Sequence, residues 1–216
     1  MQGILGRKIG MTRVFDAEGH QLPVTVIEIG PCVVVQVKTK ATDGYEAIKV
    51  GFREQKESRV TKPLRGEFKK AGVAPQRLLQ EFALEAGDSF KAGDTLTETV
   101  LNGFAYVDVT GISKGRGFQG VVKRYLMSGG PMTHGGHSKR RVGSIGCRSY
   151  PGRVHKGKRM PGHMGNVTVT QKNLRVVQLR VDDHLLLVQG AIPGATGGVV
   201  AIHKAKMAEK VKAKAT

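Results

Sequence analysis

The chain has 216 residues, of which 39% are hydrophobic, and 35 Lys and Arg against 17 Asp and Glu give a formal net charge of +18. A surplus of this size indicates a polyanionic partner, either nucleic acid or an anionic membrane surface. No run of 18 apolar residues occurs, and residues 1–16 lack the hydrophobic core of a signal peptide, so we expect neither membrane insertion nor secretion. Two distant cysteines, Cys32 and Cys147, form no CxxC pair, which favours a reduced, cytoplasmic chain.

Short runs rich in β-branched residues occur on both sides of a glycine-rich middle. They are PVTVIEI (23–29), CVVVQV (32–37), YEAIKVGF (45–52), FAYVDV (104–109), VTVT (167–170), LRVVQLRV (174–181), LLLVQGAI (185–192) and VVAIHK (199–204). Residues 182–184 and 193–194 are typical of turns between the last three runs. Helical spacing is confined to residues 75–85 and to a Lys/Ala-rich tail from residue 205.

The charge surplus lies in one internal stretch. Residues 109–181 contain 15 Lys and Arg and no Asp or Glu. Within them, residues 113–165 hold 13 Gly, 3 Pro, 4 His and 12 Lys or Arg. We call residues 113–165 the basic segment. Glycine and proline at this density interrupt helices and strands, and like charges repel, so the segment cannot build its own core and needs external anions.

These patterns predict a mainly β protein with an antiparallel barrel as its globular domain. Residues 1–112 and 166–204 are expected to form the barrel domain, with residues 55–95 as a small, partly helical insertion. Residues 113–165 are expected to form a long, extended internal arm, and residues 205–216 a basic tail.

The motif GRGFQG (115–120) has the GxGxxG spacing of dinucleotide-binding loops. That site requires an acidic residue about 20 positions later, and no acid occurs before Asp182. A glycine turn is the plain alternative. In either case Lys114 and Arg116 alternate with glycines, so cations and backbone amides can approach phosphates together.

Metal-binding and catalytic chemistry are poorly supported. His134, His137, Cys147, His155 and His163 lack zinc-finger spacing and lie in cationic surroundings that disfavour a dication. Nearby serines have no carboxylate in the whole stretch to orient a histidine. We therefore expect no metal, no cofactor, no small-molecule substrate and no enzymatic activity.

Glycine-spaced cations continue through RVGSIGCRSYPGRVHKGKRMPGHMGN (141–166), where Tyr150 is the only aromatic residue. A binder of free single strands would have more stacking rings. The pattern favours a path threaded between folded RNA helices, and a disordered basic linker is the alternative.

Several blocks of the chain resemble a known family. LNGFAYVDVTGISKGRGFQGVVKR (101–124) is similar to the signature of the third universal protein family of the large ribosomal subunit, in its bacterial form. Further blocks stand in family order: LGRKIGMTRVFD (5–16), PVTVIEIGP (23–31), DGYEAIKVGF (43–52), VGSIG (142–146), PGRVHKGKRMPGHMGN (151–166) and LLLVQGAIPGATGG (185–198).

The resemblance implies a barrel domain that binds large-subunit ribosomal RNA near its 3′ end early in assembly, beside neighbouring ribosomal proteins. It also implies an arm whose tip approaches the peptidyl transferase centre without performing the chemistry. The tip corresponds to Gly162, His163, Met164, Gly165 and Asn166. Some bacterial members carry a methylated glutamine where this chain has His163, which places that modification in doubt here.

In this interpretation twelve cations of the basic segment neutralise RNA phosphates. They are Lys114, Arg116, Lys123, Arg124, Lys139, Arg140, Arg141, Arg148, Arg153, Lys156, Lys158 and Arg159.

Two other classes of protein remain as alternatives. An architectural DNA-binding protein of the nucleoid would share the charge, although such proteins bend duplexes with apolar wedges and usually dimerise. A nucleotide-using enzyme would employ GRGFQG.

Overall fold

The computed structural model describes residues 3–85 and 87–205, and the chain divides into two compact units. The barrel unit comprises the described residues up to Ile112 and from Thr168 onward, and the basic unit comprises Ser113–Val167. Apart from its first residue, the predicted tail over 205–216 lies outside the described residues. Within the described ranges, no helix has both the length and the apolar character needed to cross a membrane.

Strands dominate the described residues. In chain order the elements are β1 (Gly3–Phe15), β2 (Gln21–Ile29), β3 (Cys32–Lys38), α1 (Lys40–Asp43), β4 (Ala47–Glu54), α2 (Lys62–Ala71), β5 (Gln76–Ala83), β6 (Thr95–Leu96), β7 (Tyr106–Ile112), β8 (Gly117–Gln119), α3 (Val121–Tyr125), β9 (Gly162–Met164), β10 (Thr168–Arg180), β11 (Leu185–Gln189) and β12 (Val199–Lys204). Two 3₁₀ turns, Glu57–Arg59 and Glu98–Leu101, complete the set.

Six antiparallel strands close the barrel in the order β1, β12, β7, β10, β11, β2. Strands from both sides of the basic segment therefore share one sheet, and Ile112 at the end of β7 pairs with Thr168 at the start of β10. The closed barrel confirms the predicted mainly β, antiparallel fold. Closure removes the exposed sheet edges that would otherwise invite association.

A second sheet, ordered β5, β4, β3, β6, packs on the same apolar core as the barrel. Barrel residues such as Ile27 and Ile202 belong to one buried cluster with Ile48 and Phe82 of the second sheet. Each is almost completely buried, and burial of such a side chain contributes about 1.5–3 kcal/mol. The runs predicted at 32–37 and 45–52 are strands, but they belong to the second sheet and not to the barrel.

The helix predicted over 75–85 is wrong, because those residues form strand β5. Gln76 pairs with Glu54 and Ala83 with Ala47, so β5 follows β4 along its length. The helix of this region is α2, which is capped by Gly72 in a left-handed conformation and buries Phe68. Leu64, Phe68 and Ala71 follow helical spacing within this polar segment, a short signal that sequence analysis did not use.

Sequence analysis missed one strand and divided another, and both errors have local causes. Strand β1 escaped prediction because glycines and charged residues interrupt its pattern, and a register shift between Lys8 and Gly10 breaks its alternation. The runs at 167–170 and 174–181 are one strand, β10, with an irregularity before Leu174. There Asn173 has a φ of 55°, and its N–H donates to Asp108 Oδ1 at 2.8 Å.

Candidate nucleic-acid interface

The basic unit is organised by backbone pairing and not by a core. Val121 is its only buried apolar residue, although every residue of 113–167 is described. It contains no Asp or Glu. Such a unit cannot offset its conformational entropy by apolar burial, and its charges find no internal partner of opposite sign.

A two-stranded ribbon joins the two ends of the basic unit. Strand β8 pairs antiparallel with β9, with Phe118 opposite His163. Outside the strands, the Arg116 N–H donates to the Met164 carbonyl at 2.9 Å, and the Asn166 N–H donates to the Ser113 carbonyl at 3.2 Å. The structure thus brings GRGFQG together with the predicted tip residues 162–166, a pairing that sequence analysis did not predict.

Two glycines make this pairing possible. Gly165 has a φ of 77°, and a Cβ atom there would overlap the Lys114 carbonyl oxygen. A Cβ atom on Gly162 would lie 2.6 Å from Nη1 of Arg124. The ribbon therefore tolerates no side chain at either position without displacement of a neighbour.

Arg124 differs from the other predicted phosphate contacts, because it is half-buried and makes an internal bond. Its Nη1 donates to the Met160 carbonyl at 2.8 Å. Its guanidinium lies 5.0 Å from the centre of the Tyr125 ring, and that of Arg159 lies 5.6 Å from the same ring. These contacts connect α3 to the chain that enters β9, which gives Arg124 a structural role.

The other eleven predicted cations are exposed. They are Lys114, Arg116, Lys123, Lys139, Arg140, Arg141, Arg148, Arg153, Lys156, Lys158 and Arg159. With no carboxylate in the basic unit to neutralise them, these exposed cations carry counter-ions that a polyanion can replace.

Cations of the barrel unit behave differently. Lys38 Nζ forms a salt bridge with Glu81 at 2.7 Å, and Arg65 forms one with Glu57 at 3.3 Å. The hydrogen bonds that Lys38 donates to Glu81 and Tyr45 raise the pKa of Lys38, and the bond from Lys38 lowers the pKa of Glu81. The barrel unit satisfies much of its own charge.

The nucleotide interpretation of GRGFQG does not fit the structure. A dinucleotide loop connects a strand of a parallel sheet to a long helix, whereas β8 belongs to an antiparallel ribbon and α3 has five residues.

Among the described residues, one group could offer three ligand atoms to a metal ion. It consists of Asp16, Glu18 and His20, whose ligand atoms lie within 4.8 Å of one another. These are exposed, and the Asp16 carboxylate accepts hydrogen bonds from the backbone of the other two, as expected of a turn.

Of the three most exposed large apolar residues of the basic unit, sequence analysis named Tyr150 and did not single out Leu126 or Phe118. Leu126, Tyr150 and Phe118 are 90%, 88% and 77% exposed. They lie in a unit rich in glycines and cations, where no local core exists to bury them.

Comparisons with known proteins agree with the resemblance. Residues 80–184 match the model of the family described as Ribosomal protein L3. The chain is 50% identical over 205 residues to the "Large ribosomal subunit protein uL3" of Brachyspira pilosicoli, covering 95% of this chain and 94% of that protein. The protein of the same name from Alkaliphilus metalliredigens (strain QYMF) is 50% identical over 202 residues, covering 94% and 96%.

Proposed function

The chain belongs to the ribosomal protein L3 family, and from that premise we propose that it is a non-enzymatic structural protein of the large ribosomal subunit. In this proposal the basic unit binds large-subunit ribosomal RNA. The observation that carries it is the set of eleven exposed cations on a unit with no acidic residue. A unit with this composition gains compactness from phosphates that an RNA supplies.

The two units divide the work in this proposal. The barrel unit anchors the protein near the 3′ end of the RNA early in assembly, in contact with neighbouring ribosomal proteins in the cytoplasm. The residues around His163 approach the peptidyl transferase centre, where the RNA performs the chemistry. Neither a cofactor nor a small-molecule substrate takes part.

Sedimentation tests the central claim. Tagged full-length chain expressed in bacteria should sediment with the large subunit, and purified chain should bind deproteinised large-subunit ribosomal RNA. Duplex DNA of equal phosphate concentration should compete weakly, since the cations are arranged for a folded RNA. Equal competition by duplex DNA would favour the nucleoid protein instead.

The location of His163 can be measured separately. In a Cys147→Ser background, His163→Cys offers one exposed thiol in the basic unit for a tethered hydroxyl-radical source. In assembled subunits, cleavage is expected in RNA of the peptidyl transferase centre. Cleavage confined to RNA remote from that centre would contradict this placement.

A further inference from the structure

We propose that Phe118 and His163 form a two-ring platform on which an unpaired base of the bound RNA stacks. The inference rests on the proposed RNA-binding function and assigns a contact different from phosphate neutralisation. Phe118 is 77% exposed, although it lies within a strand. Its ring is therefore available to a ligand that approaches this face of the strand.

The register of the ribbon places the two residues directly opposite each other. Phe118 and His163 are direct partners across β8 and β9. Side chains of directly opposed residues in an antiparallel pair project from the same face, with Cβ atoms about 5 Å apart. Both residues are exposed, so both rings are accessible to a ligand from the same face of the ribbon.

Glycines surround the platform on both strands. Phe118 and His163 are each followed or preceded within two residues by positions without side chains, namely Gly117, Gly120, Gly162 and Gly165. On the face that carries the rings, Gly120 and Gly165 each leave one neighbouring position without a side chain, and a flat ligand can approach past them.

The charge around the platform identifies the ligand as a nucleobase. Arg116 lies two residues before Phe118 and is exposed, and the whole unit lacks acidic residues. Exposed rings beside exposed cations are the combination by which proteins hold unpaired nucleotides, with bases on the rings and phosphates on the cations. A purely apolar protein partner would not require the cations.

The test measures the affinity of the full-length chain for deproteinised large-subunit ribosomal RNA across a series of salt concentrations. Phe118→Leu keeps an apolar side chain but removes the ring, and should weaken binding roughly 5-fold to 150-fold. Stacking releases no counter-ions, so the slope of log affinity against log salt should stay unchanged. Phe118→Trp should restore affinity, because it restores a ring.

Leu126→Ala is the matched control, since Leu126 is a 90% exposed apolar residue of the same unit outside the ribbon. It should bind as tightly as the wild type. The platform is overturned if Phe118→Leu binds the RNA normally, or if Leu126→Ala weakens binding equally. It is also overturned if Phe118→Leu reduces incorporation into subunits without weakening RNA binding, which would indicate a protein partner. Failure of the wild type to bind the RNA would instead overturn the proposed function and the platform with it.

Discussion

The barrel unit buries side chains such as Leu186 and Ile202 completely, whereas the basic unit buries Val121 alone among its apolar residues. The barrel unit also pairs cations such as Lys38 with its own carboxylates, while the basic unit has none to offer. The difference shows two ways of specifying a conformation. One unit is stabilised by apolar burial within the chain, and the other is organised by backbone pairing and, in the proposed function, by anions that a partner supplies.

Matched truncations test the difference in burial most strongly. Leu186→Ala removes a fully buried side chain of β11 and should lower the free energy of unfolding by about 3–5 kcal/mol. Leu126→Ala makes the same chemical change at a 90% exposed position and should lower it by less than about 0.5 kcal/mol. Urea denaturation followed by circular dichroism measures both. Similar losses would show that the basic unit has a core of its own.

Matched glycine substitutions test the backbone pairing. Gly165 and Gly157 have φ values of 77° and 78°, so alanine costs roughly 1–2 kcal/mol at each through conformation alone. At Gly165 the new Cβ also overlaps the Lys114 carbonyl, whereas at Gly157 nothing lies within 4 Å. Gly165→Ala should therefore open the ribbon, and Gly157→Ala should not.

Hydrogen exchange of the Arg116 and Asn166 amides reports on that opening, because both amides bond across the ribbon. Exchange should accelerate in Gly165→Ala only, while the barrel unit keeps its stability. Equal exchange in the two variants would show that the ribbon is not held by this close approach.

Salt dependence tests the difference in charge. If all eleven exposed cations met phosphates, log affinity for RNA would fall with log salt at a slope of roughly −8 to −10. Replacing Arg140 and Arg141 by Ala should flatten the slope by up to about two. The matched control replaces Lys69 and Lys70, adjacent exposed cations of α2 in the barrel unit, and should leave the slope unchanged. A reversed result would show that RNA phosphates contact α2 and not the Arg140–Arg141 part of the basic unit.

The smallest effect concerns a titratable contact that only the barrel unit contains. His184 Nδ1 lies 2.8 Å from Glu98 Oε2, and the Glu98 side chain is 4% exposed. Burial alone would raise the pKa of Glu98, but hydrogen bonds from its own backbone and from His184 outweigh burial and hold the pKa below its ordinary value of 4.5.

Because the folded pKa is lowered, the stability from Glu98 is complete above pH 4.5 and is lost as pH falls through the lower folded value. Glu98→Gln should therefore cost about 1 kcal/mol near neutral pH and nothing at strongly acidic pH. Urea denaturation at a series of pH values measures the change. An equal cost at all pH values would show that the contact acts through shape and not charge.

Much of the fold was predictable because it depends on local composition. The β-branched runs at 23–29 and 199–204 correspond to strands with nearly the same bounds. Residues 76–83 were not predictable, since their apolar spacing suits a helix and only pairing with β4 selects the strand.

The site was predictable in its charge and not in its geometry. The twelve cations are a property of composition, and their assignment to phosphates stays a prediction. The hydrogen bond from Arg124 to the Met160 carbonyl joins two segments 36 residues apart, so no local sequence pattern predicts it.

The sequence by itself determined that this protein is a β protein with an acid-free, glycine-rich middle, because strand propensity and charge are summed residue by residue. Tertiary structure alone decided which strands close the barrel, which form the second sheet, and that Phe118 lies opposite His163. Those outcomes depend on pairing between distant segments, where the gain from packing and hydrogen bonding must exceed the entropy of closing the intervening loops. That balance depends on the whole folded chain, so no single segment of the sequence determines it.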